Sequence, residues 1–159
     1  MKLGEEYYAV VTRVGSNVLS GYLGMEVTPH AAREQDSSGR YDIAVQIRVL
    51  GQLDGQIVCV MNEHTAKQVV GRMFGGIEVE TLDEMGWSAI KEFGNWFVSG
   101  IATEFANKGW EVNISHPLTT FEDPNASQDL KDIRSIVMPL ESEYGMIEIH
   151  SILESRTLI

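Results

Sequence analysis

Hydrophobic residues recur at intervals of three and four near the start of the chain, at Tyr7, Val10, Val11, Val14, Val18 and Tyr22. That period predicts an amphipathic helix over residues 7–23, with Gly21 and Gly24 as stops. Residues 28–40 are polar and contain Pro29 and Gly39, so they read as a mobile loop. The period then changes. Tyr41, Ile43, Val45, Ile47 and Val49 alternate with Asp42, Ala44, Gln46 and Arg48, the pattern of a half-buried strand. GQLDG at residues 51–55 is a turn, and 56–61 is a second apolar strand closing a hairpin. Asn62 is placed to cap a helix over 63–74, which Gly75 and Gly76 end. Thr81 opens a long helix to Asn107, with Glu84 at the capping-box spacing and Gly109 as the close. Residues 111–120 predict a strand that Pro117 makes irregular or places at an edge. A polar loop at 122–131 leads to a hairpin of strands 132–140 and 145–153. The expected fold is α+β, with helices packed on a largely antiparallel sheet.

Composition narrows the class. A chain of 159 residues with no dividing linker predicts a single domain over 1–159. Twelve basic against 23 acidic residues give a net charge of −11, which disfavours a nucleic-acid partner because phosphate binding draws on Lys and Arg. The start of the chain does not read as a signal peptide, and no apolar run is long enough to span a membrane. One cysteine, Cys59, forms no internal disulfide, so the expectation is a cytoplasmic protein without membrane insertion.

The long helix carries the most chemistry. Ala89, Ile90, Phe93, Trp96, Phe97, Val98, Ile101 and Phe105 make it apolar over most of its circumference, which predicts burial. Ser88, Glu92, Asn95 and Ser99 fall within about 40° of one line along it, given roughly 100° per residue. Lys91 lies beside this polar stripe. A bland account makes the stripe the wet side of a core helix. A functional account uses its chemistry: a carboxylate and an amide at i, i+3 project in one direction, the first to pair a partner's lysine, the second to orient a water. The bare spacing is unspecific, since Glu104/Asn107 and Glu122/Asn125 share it. Only Glu92/Asn95 lies mid-helix on a polar stripe; Asn107 reads as a helix stop, and Glu122/Asn125 brackets Pro124 in a loop.

The run LDEMGWSAIKEFGNWFVSG, with Ser88, Glu92 and Asn95 in that order, resembles the phosphatase helix of the CheC/CheX/FliY family of chemotaxis proteins. NEHTAKQVVGRMFGG before it and GWEVNISHPLTTFED after it are similar to the flanking family segments, so the likeness covers roughly residues 40–150. A single such helix looks like the CheX type. The resemblance implies hydrolysis of the phosphoaspartate of a CheY-type response regulator. It assigns Asn95 to orienting the attacking water and Glu92 to pairing a lysine of the receiver; Ser88 and Ser99, on the same stripe, are read as further partner-binding positions. It places Mg²⁺ on the receiver, so this chain needs no metal or cofactor of its own, and it implies a homodimer joined edge to edge. Ser99 stands where the family usually has Gly, and Trp96 and Phe97 are bulkier than usual. These departures support a second reading, a non-catalytic module that docks a receiver.

The other reactive residues read as structural. His30, His64, His116 and His150 lack ligand spacing. Cys59 sits mid-strand as an inert thiol. Met61, Met73, Met85, Met138 and Met146 read as core fillers, and Trp87 as core packing beside the stripe.

Overall fold

The protein is described by a computed structural model over residues 4–35, 41–123 and 135–155. Three α-helices pack on one face of an eight-stranded antiparallel sheet, which bears out the α+β expectation. Helix α1 spans Glu5–Ser16 and continues as a π-helical segment, Asn17–Tyr22. There the Leu23 N–H donates to the Val18 carbonyl five residues back (3.2 Å). The sequence reading gave a single regular helix; the widened turn adds no change in apolar period that would betray it.

Strands β3 (Ile43–Gly51) and β4 (Leu53–Met61) form the expected hairpin. Its connection is tighter than expected, because both strands extend into GQLDG. Helix α2 (Glu63–Met73) follows, with Asn62 at the capping position. The Asn62 side chain makes no cap bond; the Glu63 N–H donates to Asp42 Oδ2 instead (3.3 Å). Helix α3 covers Glu84–Asn107. Its cap is Asp83, whose Oδ1 accepts from the Gly86 N–H (2.9 Å), and Thr81 lies outside the helix. Asp competes successfully here because its carboxylate reaches the first-turn donors and complements the positive helix start.

Strands β5 (Val112–Ile114) and β6 (Leu118–Thr119) are two pieces of the single strand expected over 111–120. Both pair with β3, and the Pro117 region separates them. The final hairpin is β7 (Ser135–Ser142) with β8 (Gly145–Ser155). The path across the sheet is β1-β7-β8-β4-β3-β5, so β5 lies at an edge as Pro117 suggested.

The stretch 28–40 is not all loop. It contains parts of β1 (Val27–Pro29) and β2 (Arg33–Gln35), both paired antiparallel with β7. Strands of three residues are too short to show a period, which is why composition alone read them as loop. Residues 36–40, 124–131 and the expected strand start at 132–134 lie outside the described residues.

Most of the core lies between helices and sheet. Tyr7, Val11, Leu19, Ile90, Phe93, Phe97 and Ile101 meet Val45, Ile47, Ile57, Met138, Leu140 and Ile149. The other sheet face holds a smaller buried cluster of Ala44, Val58 and Val60. Ala44 is therefore buried, although the alternation placed it with the solvent-facing set. Cys59 is also buried, and burial pushes its thiol up to about 12, as an inert core residue requires. Met61 and Met138 fill core space, whereas Met85 is exposed at the start of α3, before the helix settles on the sheet.

One polar cluster ties the strands of the second face together. Glu148 on β8 accepts from His150 Nε2 (3.0 Å) and from Arg33 Nη2 on β2 (2.9 Å). Burial alone would raise the Glu148 carboxyl, but the His150 and Arg33 bonds outweigh it and hold it at about 2, below the usual 4.5. A carboxyl depressed in the folded state contributes stability above its ordinary pKa and loses it as pH falls from about 4.5 toward 2. Urea unfolding midpoints should therefore fall more steeply across that acid window in the wild type than in Glu148→Gln.

Candidate functional site

Helix α3 is held on three sides. Phe93 and Phe97 are fully buried and meet edge to face, with ring centroids 5.1 Å apart. Gly94 lets the helix lie directly on the sheet: a Cβ there would come within 2.5 Å of Val45 Cγ1. Arg13 of α1 forks onto Glu104, donating from Nε at 2.9 Å and from Nη2 at 2.5 Å. On the other flank Lys91 pairs with Glu122 in the turn after β6 (2.7 Å), and Trp87 stacks on Phe121 (5.4 Å between centroids).

With Phe93, Gly94 and Phe97 pressed inward, helical geometry turns the intervening stripe outward. Ser88 and Glu92 are exposed, while Asn95 and Ser99 are half-buried. Among the described residues neither Glu92 nor Asn95 makes a side-chain hydrogen bond or ion pair. All four predicted residues thus share one face, and their polar ends remain available.

The three Glu-x-x-Asn matches separate cleanly. Glu104 is engaged by Arg13, and Asn107 is the last helical residue. Glu122 is engaged by Lys91, and Asn125 lies outside the described residues. Glu92 and Asn95 are the pair without a side-chain partner among the described residues.

A shallow cleft of about 310 Å³ lies over the stripe, lined by Ser88, Lys91, Glu92, Asn95, His116 and Pro117. Sequence reasoning did not place His116 and Pro117 here. The available signal was Pro117 itself, which interrupts the strand and lets residues 115–117 leave the sheet toward α3. Ser99 is not among the cleft-lining residues; it lies one turn beyond Asn95. Trp96 is half-buried rather than core, with the exposed Tyr22 ring edge-on to it (5.8 Å). Trp87 is half-buried too.

Glu92 is the one carboxylate lining the cleft, a poor donor set for Mg²⁺, which favours an octahedral shell of oxygens. Among the described residues no group of three or more His, Cys, Asp or Glu side chains converges on a point. No described helix is long and apolar enough to cross a membrane.

The architecture, helices with one long core member packed on one face of an antiparallel sheet, is that of the CheC-like fold. A CheC-like superfamily protein from Shewanella sp. PV-4 superposes with a TM-score of 0.80 at 22% identity, over 96% of this chain and 100% of that one. The CheX of the CheX–CheY–BeF3–Mg complex from Borrelia burgdorferi gives 0.78 at 19% identity, over 94% and 98%. The chain belongs to the chemotaxis phosphatase CheX family, whose profile matches residues 43–141. It is 32% identical over 77 residues to the CheY-P phosphatase CheX of Thermotoga maritima, a match spanning 48% of this chain and 50% of that protein. The matched stretch is thus only half the length of that curated relative.

Proposed function

We propose that this protein accelerates hydrolysis of the phosphoaspartate of a CheY-type receiver domain. The observation that carries the reading is the availability of Glu92 and Asn95, one turn apart on a helix whose other side is fixed in the core. The relative from Thermotoga maritima bears the name of a CheY-P phosphatase, and the Borrelia burgdorferi neighbour was captured with CheY, beryllofluoride and Mg²⁺.

In this reading Glu92 accepts from a lysine ammonium of the receiver and anchors it. Asn95 enters the receiver's phosphorylated centre. Its amide oxygen accepts from a water and its NH₂ donates to a neighbouring oxygen, which fixes the water in line with the P–O bond. The water oxygen bonds to phosphorus, the bond to the aspartyl oxygen breaks, and the products are inorganic phosphate and the free receiver carboxylate. Mg²⁺ would be held by the receiver, where it would neutralise charge on the phosphoryl oxygens. The phosphatase itself supplies position, which suits side chains on a rigid helix.

Incubating the protein with phosphorylated receiver and Mg²⁺ should speed phosphate loss. A rate equal to that of receiver alone, with the cognate receiver, overturns the reading. Glu92→Gln should raise KM about tenfold with little change in kcat, since the lost ion pair serves docking; steady-state kinetics checks this. Docking without turnover, the second reading suggested by Ser99, Trp96 and Phe97, predicts binding with no acceleration.

We also propose a homodimer, in keeping with the family resemblance. The sheet ends in the short β1 and β2 on one side and in β5 on the other, which offers edges for joining copies. Light scattering after size exclusion should give twice the 17.7 kDa chain mass.

A further inference from the structure

The cleft over the stripe has two walls, and the reading above uses only one. Glu92 and Asn95 stand on α3. The opposite wall is the short segment between β5 and β6, which carries His116 and Pro117. This segment is pinned at its base. The Ser115 N–H donates to the Arg48 carbonyl (3.0 Å), and Ser115 Oγ accepts from the Arg48 N–H (2.9 Å). Pro117 fixes the backbone on the other side. His116 is thus an exposed side chain on a braced backbone, facing the same space as Asn95.

The hydrogen-bonding of the cleft isolates this residue. Lys91 lines the cleft but is held by Glu122 at 2.7 Å. Glu92 is a carboxylate and repels anions. Among the described residues the His116 ring makes no hydrogen bond. The Asn95 amide and the His116 imidazole are thus the nitrogen donors lining the cleft that have no partner among the described residues. A neutral imidazole donates through one nitrogen and a protonated one through both, so His116 offers an N–H in either state.

We propose that His116 is a binding residue for the phosphoryl group of the receiver, donating to a non-bridging oxygen from the wall opposite Asn95. It thereby favours the phosphorylated receiver over the unphosphorylated one. Glu92 cannot supply that preference, because its lysine partner is present in both forms. This inference rests on the reading that the cleft receives a phosphorylated receiver.

The test is the affinity of the intact protein for the cognate CheY-type receiver, measured by calorimetry with Mg²⁺, with and without beryllofluoride as the phosphoryl mimic. His116→Ala should weaken binding of the beryllofluoride form about tenfold, as for loss of a charge-assisted hydrogen bond, and leave binding of the beryllofluoride-free form within about twofold. His116→Gln, which keeps a side-chain N–H, should recover part of the loss. Equal weakening of both forms, or no weakening of either, overturns the role of His116 alone. Failure of the wild type to bind the beryllofluoride form overturns the receiver reading with it.

Discussion

Phe93→Ala is expected to destabilise the protein by about 3–5 kcal/mol, a large part of the ~5–15 kcal/mol available to a domain of this kind. The ring is fully buried, packs edge to face on Phe97, and is one of the largest side chains in the core. Its removal loses the transfer energy of the ring and leaves a cavity that cannot readily collapse. Gly94 already sits against Val45, and the Glu104 and Lys91 ion pairs fix the helix at either end. Guanidinium unfolding should show a lower midpoint at an unchanged slope. An unfolding free energy within about 0.5 kcal/mol of wild type would mean that the helix buries a different face. Then Glu92 and Asn95, on the turns to either side, would not face out together.

How far the sequence revealed this fold depends on element length. The long helix and the β3–β4 hairpin carry enough residues to display their periods, and their faces came out as read: Phe93, Phe97 and Ile101 inward, Ser88 and Glu92 outward. Three-residue strands cannot display a period of two, so β1 and β2 were hidden in a polar stretch. The start of α3 offered two acceptors, Thr81 and Asp83, and spacing alone favoured the wrong one. Ala44 was grouped with polar residues because its side chain is small; the second buried cluster depends on what covers that face, which local patterning does not report. At the site, Glu92 and Asn95 were legible because a polar stripe in an apolar helix needs a reason. His116 was not, because its relation to Asn95 arises from long-range pairing of β5 and β6 with β3.

Asn95→Ala carries the largest expected effect on activity. The side chain is half-buried and has no partner among the described residues, so stability should change by no more than about 1 kcal/mol. Docking should persist, because the Glu92 pairing is untouched. What is lost is the group that holds the water in line. Acyl phosphates hydrolyse without help, so the receiver's own rate sets the floor. Removing a single well-placed hydrogen-bonding group from a reacting centre typically costs ~10²–10³ in rate. The variant should therefore fall about 100-fold or more in kcat, or to the receiver's own rate if the wild-type acceleration is smaller than that. KM should stay near wild type, the signature of an interaction made in the transition state.

The most direct measurement is the rate of phosphate loss from a saturating complex of phosphorylated receiver with wild type and with Asn95→Ala, with binding of each checked on the beryllofluoride form. Equal binding is expected, with a variant rate about 100-fold or more below wild type, or equal to that of the receiver alone where the wild-type acceleration is smaller than that. A rate for Asn95→Ala that stays near wild type at equal binding would contradict the role of Asn95.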